Sequence, residues 1–279
     1  MDIMTSYLPI IIGLLGCIVG SFLNVVALRQ ETGKDLGGRS HCPSCNHQLT
    51  WYELIPVVSF LIQRAKCRNC KTSISVQYIA VELFTGLLFY MGAKFFVMNF
   101  SAAIYPVWFF LQLFLLILIM SYLVLIIVYD LRTKKVPLVW FISLVISSFL
   151  YLGISYATSG FSFGWYDIWF HISGIVIALP FFIMWIVSKG AWMGFADIEI
   201  IAWMGMFLGI YSGASATLIA FYTGALFAIV FVGFKLSKGY SYDTIRKIHI
   251  PFTPFLLLAW FGTFIFSFDI FSLLSGLFM

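Results

Sequence analysis

Two aspartates and four cysteines carry most of the chemistry available to this sequence. Asp130 stands in LIIVYDLRTKKVP and Asp197 in WMGFADIEIIAWMG, each where a long apolar run meets a loop. A carboxylate inside a bilayer costs roughly 2.5–3.5 kcal/mol, so one retained near a span is a candidate for function. Two carboxylates at one depth can share a proton and hold a water, because like charges at close range do not both ionise. The ionised member can take a proton from that water while the protonated member donates to a carbonyl oxygen. Each aspartate also has a simpler reading. Asp197 opens a helix, where an aspartate often serves only as a cap. Asp130 closes one, where it opposes the macrodipole. The opposed helix ends favour the shared proton on Asp130 and the charge on Asp197, with Arg132, Lys134 and Lys135 working against that preference.

The cysteines form two C-x-x-C pairs, Cys42-Pro-Ser-Cys45 and Cys67-Arg-Asn-Cys70, with 21 residues between them. That pattern suits a tetrahedral zinc site with sulfurs about 2.3 Å from the metal. A four-thiolate shell leaves no open coordination position, so the metal's role is structural. The surrounding segment is rich in glycine and polar residues; apart from Trp51, Tyr52 and the 55–62 stretch it offers little for a core. A bound metal can stabilise such a segment by several kcal/mol. Lys66, Arg68 and Lys71 help to keep the thiols ionised. His41 and His47 read as loop residues, and Cys17 as a packing residue inside the first apolar run.

What positions these groups is a membrane. The chain has 279 residues, 62% hydrophobic and 10% charged, with a mean hydropathy of +1.03. A soluble domain is about 45–50% apolar and about 25% charged, so a water-soluble globule, a disordered chain and a fibrous protein are excluded. Spans of about 20 apolar residues are expected near 7–28, 78–98, 104–129, 136–156, 166–188, 196–211, 213–236 and 252–276. The sixth is short, and only Ser212 and Gly213 separate it from the seventh. Barrel strands would alternate in hydropathy, and these runs do not. The first run follows no Lys or Arg, which argues against a removable signal peptide. The expected fold is therefore an all-α polytopic membrane protein of about eight transmembrane helices. It divides into a first helix (1–28), a cytoplasmic four-cysteine zinc-binding domain (29–77) and a seven-helix core (78–279).

Charge tests that count. If the spans alternate, 15 of the 16 basic residues fall on one side: seven in 29–77, three in 130–135, then Lys189, Lys235, Lys238, Arg246 and Lys247. Only Lys94 lies near the other side. By the positive-inside rule both termini are outside, and the cysteines face the cytoplasm, where reducing conditions disfavour disulfides. Asp130 and Asp197 then share the cytoplasmic edge. Among the other acids, Glu82 is expected to pair with a loop Lys or Arg. Glu199 lies about 200° around the helix from Asp197 and faces away, and Asp269 has no evident partner. Gly194 permits close approach beside Asp197. The stretch from His249 through Pro251 and Pro254 reads as a stiff helix entrance. On these residues alone three readings stand: a two-aspartate hydrolase, a proton-relay transporter and a zinc-bearing scaffold. A transporter predicts midplane carboxylates and repeats, and no repeat is visible. A scaffold leaves the two aspartates unexplained.

Taken together the motifs resemble those of bacterial type 4 prepilin peptidases, intramembrane aspartic proteases of the GxGD class. The resemblance runs through GSFLNVVALR (20–29), RSHCPSCNHQLTWYELIPVVSFL (39–61), CRNC (67–70), VELFTG (81–86), Asp130 with Val136-Pro137, GFADIEIIA (194–202) and IPFTPFL (250–256). It departs at Ala196 and Thr253, where the family has glycine, and at Glu199, where it has lysine. The resemblance implies that Asp130 and Asp197 are catalytic, and that short basic leaders are cut from prepilins or pseudopilins after a glycine at the cytoplasmic face of the bacterial inner membrane. It also implies, for many members, N-methylation of the new terminus from S-adenosylmethionine, for which the sequence shows no glycine-rich nucleotide motif. Precursor substrates and membrane lipid are the expected partners; nucleic acid is not.

Overall fold

The computed structural model describes residues 2–32, 37–100, 106–158, 164–245, 248 and 250–271. Lys34, Arg246, Lys247 and His249, with residues 104–105 and 272–276 of the expected spans, lie outside the described residues. Among the described residues regular structure is helical, with only two isolated β-bridges, His41–Gln48 and Lys66–Ser73.

Six helices are long and apolar enough to cross a membrane: α1 (Asp2–Thr32), α3 (Val76–Asn99), α4 (Pro106–Thr133), α5 (Leu138–Thr158), α6 (Trp165–Ser188) and α8 (Ile210–Ser237). Two are minor, α2 (Val58–Ile62) and α9 (Tyr242–Ile245). Two more, α7 (Phe195–Leu208) and α10 (Thr253–Phe266), are 14 residues each. At 1.5 Å per residue such a helix reaches about 21 Å, short of a hydrocarbon layer about 30 Å thick. The all-helical polytopic class is as expected, and each predicted apolar run overlaps a helix, the eighth only over Thr253–Phe266 of its 252–276. The break after the sixth run, however, falls at Gly209 and not at Ser212–Gly213. Gly209 has φ +81 and its amide donates to the Gly205 carbonyl at 2.8 Å, a backbone state that glycine adopts without the steric cost other residues meet.

The helices group into two compact units, Met1–Thr133 with Pro137–Ser159, and Lys134–Val136 with Gly160–Met279. In the first, α1 lies along α3. A Cβ added at Gly16 would come within 2.8 Å of the Thr85 carbonyl and 2.9 Å of the Gly86 Cα, so small residues set this helix spacing. Helix α4 is the buried centre of that unit: Leu116, Ile119, Met120, Leu123, Val124 and Ile126 are all enclosed. In the second unit α6, α7, α8 and α10 pack together. A Cβ at Gly205 would meet the Gly174 Cα at 2.7 Å. Trp203 and Phe207 of α7 interlock with Trp260 of α10, ring centroids 4.8 Å and 5.1 Å apart. Large apolar side chains such as Ile175, Val187, Leu226 and Ile229 remain exposed along α6 and α8. Such faces suit lipid.

Candidate active site and metal centre

The cysteine segment folds as two equivalent knuckles. In the first, the Cys42 amide donates to the His47 carbonyl and the Asn46 amide to the Cys42 carbonyl, both at 2.9 Å. In the second, the Cys67 amide donates to Thr72 at 2.9 Å and the Lys71 amide to Cys67 at 3.0 Å. Asn46 and Lys71, each one residue past a C-x-x-C, take φ of +55 and +60. These left-handed turns aim both pairs inward. The four sulfurs lie within 4.8 Å of one another, a cluster that could hold a metal ion. Cys42 Sγ and Cys70 Sγ stand 3.8 Å apart. A tetrahedron with zinc–sulfur bonds of about 2.3 Å has edges of about 3.8 Å, so the donor set fits zinc. The thiols differ. The Thr72 hydroxyl and amide draw Cys70 down to about 6. At Cys42 the Ser44 amide pulls downward, but burial and the hydrogen bonds shared with the Cys45 and Cys67 sulfurs outweigh it and push the thiol up to about 11.

Beside the knuckles Glu53 closes a capping box. Its Oε2 accepts from the Thr50 amide at 2.9 Å and the Thr50 hydroxyl at 2.8 Å, and His47 lies 3.8 Å away. The Thr50 amide, then its hydroxyl and the nearby His47 and Arg68 side chains, hold this carboxyl below the usual range against the pull of burial. His47 is thus a partner of Glu53 and stands outside the sulfur cluster.

Asp130 occupies the last turn of α4, with only 5% of its surface exposed. Asp197 sits in the first turn of α7, half-buried. Gly194 is the N-cap of α7, and a Cβ there would stand 3.3 Å from Asp197 Oδ2, so any larger residue would crowd the carboxylate. The hydroxyl of Thr253, itself buried, donates to Asp197 Oδ1 at 3.3 Å. Pro254 follows in the first turn of α10, where its missing N–H costs nothing. The helix start expected there is present.

The structure therefore unites the four cysteines, and unites Asp197 with Thr253; Asp130 belongs to the first unit and Asp197 to the second. Thr253 is the residue that sequence reasoning missed. Its only signal was a hydroxyl standing where the similar family has glycine. The expected basic partner of Glu82 is absent among the described residues. Its Oε2 accepts instead from the Val57 amide at 2.7 Å. Asp269, for which the sequence showed no evident partner, accepts from the Ser215 hydroxyl at 3.1 Å and the Phe271 amide at 2.9 Å.

Comparison with known proteins covers both regions. Residues 14–96 match the bacterial peptidase A24 N-terminal domain, and residues 116–229 the type IV leader peptidase family. A prepilin leader peptidase/N-methyltransferase of Bacillus subtilis is 29% identical over 257 residues, 88% of each chain. Its namesake from Pseudomonas aeruginosa is 28% identical over 277 residues, 88% of this chain and 86% of that one. Another from Myxococcus xanthus is 54% identical over 77 residues, 27% of this chain and 23% of that protein. No solved structure matches. The four cysteines fall within the first matched region and both aspartates within the second, and the chain belongs to the type IV leader peptidase family.

Proposed function

We propose that this chain is a membrane aspartic endopeptidase that removes the short basic leader from type IV prepilins or pseudopilins at the cytoplasmic face, and then N-methylates the new terminus. The observation that carries it is the placement of Asp130 and Asp197 at helix ends of opposite sense, both inside the leader-peptidase match. The two carboxylates share one proton and hold a water. The ionised member takes a proton as the water oxygen attacks the scissile carbonyl carbon. The protonated member donates to the carbonyl oxygen, and collapse of the tetrahedral species breaks the C–N bond as the departing nitrogen takes up a proton. Gly194 leaves Asp197 approachable, and Thr253 fixes its orientation.

Counting the short α7 and α10 as crossings beside the six long helices makes eight, and eight crossings with both termini outside put residues 29–77 and the catalytic edge in the cytoplasm, with 78–279 as the peptidase core. Zinc held by Cys42, Cys45, Cys67 and Cys70 stabilises the loop and takes no part in the hydrolysis. S-adenosylmethionine, when bound, would supply the methyl group that the new N-terminal amine takes. Lipid and the precursor are the partners; nucleic acid is not.

The test is to incubate the purified protein with a prepilin, with and without S-adenosylmethionine, and weigh the products. Loss of the leader mass in both reactions, and one added methyl in the second, is the expected result. An intact leader would overturn the peptidase reading, and a cleaved product that never gains a methyl would overturn the methyl-transfer reading.

A further inference from the structure

The short helix α2 and the residues around it present two faces of different character. Ser59, Phe60 and Gln63 are half-buried and line one cavity with Val25 of α1 and Tyr78 of α3. Val58, Leu61 and Ile62 turn the other way. At i, i+3 and i+4 they share one side of the helix, and Leu61 and Ile62 are 62% and 67% exposed. Leu54 and Ile55, just before the helix, and Trp51 are exposed as well. An apolar surface of this extent marks an interaction site.

Depth identifies what it meets. The Val57 amide, at the N-cap of α2, donates to Glu82 Oε2 at 2.7 Å. Glu82 lies six residues after Val76, the first of α3, which is about 9 Å along the helix axis. The 24 residues of α3 span about 36 Å, and a hydrocarbon layer is about 30 Å thick. A centred α3 extends about 3 Å beyond each boundary, so the Val57 amide is pinned about 6 Å inside it. Amphipathic helices that lie in the interface bury their apolar faces about 5–10 Å deep. Leu83 and Leu87 of α3, at and below this level, are exposed too, as a lipid-facing surface requires.

Two features show that the attachment is built into the fold. Val57 is β-branched yet has φ +63, a conformation rare for such a residue that persists only where its surroundings enforce it. Glu82 is buried; a carboxylate at that depth is costly, and the donated amide offsets the cost only while the segment stays down. Charge then identifies the lipid. Arg64 and Lys66 follow α2, both exposed, and among the described residues neither side chain has a hydrogen-bond or ion-pair partner. Glu53 is the one acid in 37–77, and Thr50 occupies its carboxylate. Basic side chains at a membrane surface attract anionic headgroups.

We propose that residues 54–62 are an interfacial wedge: their apolar side chains enter the leaflet that flanks the start of α3, and Arg64 and Lys66 hold anionic phospholipid headgroups beside it. The wedge rests on α1 and α3 crossing the bilayer and is independent of leader cleavage.

The test is photolabelling of the metal-loaded full-length protein in nanodiscs, with phospholipids that carry a diazirine high on one acyl chain, followed by peptide mass analysis. Labelled phosphatidylglycerol should mark 54–62 together with the exposed faces of α6 and α8, and should mark 54–62 about fivefold more strongly than labelled phosphatidylcholine does. Label on α6 and α8 with none in 54–62 would show that water or protein covers the segment, and would overturn the proposal. Leu61→Asp combined with Ile62→Asp should cut the label in the segment roughly tenfold while leaving that on α8 unchanged. Arg64→Glu combined with Lys66→Glu should erase the headgroup preference alone. Metal content and unfolding temperature report the integrity of each variant, and the parent's labelling pattern decides if a variant does not fold. Equal labelling of the parent by the two lipids would overturn the anionic contact, and undiminished labelling of the folded aspartate variant would overturn the wedge.

Discussion

At the scale of single residues, the hydrogen bond from Thr253 to Asp197 is the contact that most directly conditions the proposed chemistry. A hydrogen bond of this kind contributes about 1 kcal/mol. Thr253→Val should therefore slow leader cleavage roughly fivefold, Thr253→Ser should restore it, and single-turnover cleavage assays compare them. An unchanged rate in the valine variant would remove Thr253 from the site. The same residue shows where sequence reading stops. A threonine after Phe252 carries no spacing signal, and its role exists only because α10 begins beside the first turn of α7. The cysteines were legible in full because two C-x-x-C turns specify their own geometry. Their unequal thiols were not, since Thr72 and Ser44 act through hydrogen bonds that spacing does not encode. In metal-stripped protein at pH 7, Cys70 lies above its titration point of about 6 and is mostly thiolate, whereas Cys42, pushed up to about 11, stays protonated. Alkylation followed by peptide mass analysis should modify Cys70 first, and Cys42 should react only as the pH approaches its higher value. Equal labelling of the two would contradict this account.

At the scale of elements, the clasp between α7 and α10 holds Thr253 over Asp197. Trp203 and Trp260 are both buried, their rings 4.8 Å apart, and Phe264 stacks on Trp260 at 5.3 Å. Trp260→Ala should cost about 3–5 kcal/mol through lost packing and the cavity left behind. It should lower the unfolding temperature in detergent and reduce cleavage together, whereas Thr253→Val should lower the unfolding temperature far less, by no more than a few degrees. Cleavage lost without destabilisation in the alanine variant would contradict the clasp. The helices were legible as apolar runs, because a bilayer requires each span to satisfy its own backbone. Their contact faces were not. When most sides of a helix are apolar, periodicity names no inner face, and close approach at Gly16 and Gly205 selects it. The break at Gly209 was misplaced for a related reason. Ser212 and Gly213 have the composition of a turn, yet both continue as helix within α8, and the deciding feature is the positive φ of Gly209.

At the scale of the whole molecule, the asymmetry of 15 basic residues against one organises the proposal: if eight spans alternate, as proposed, the positive-inside rule assigns the cysteine segment and both aspartates to a single side. That distribution was readable from the sequence because it follows from counting. The environment of Glu82 was not, because a basic loop suggested an ion pair and the fold supplied a backbone amide. The most direct measurement of the central claim is N-terminal sequencing and mass analysis of a prepilin after incubation with the parent protein, Asp130→Asn and Asp197→Asn, each first shown to unfold at the parent temperature. A shared-proton pair requires both carboxyl groups, so each single variant should leave the leader attached. Normal cleavage by either folded variant would contradict the two-aspartate mechanism.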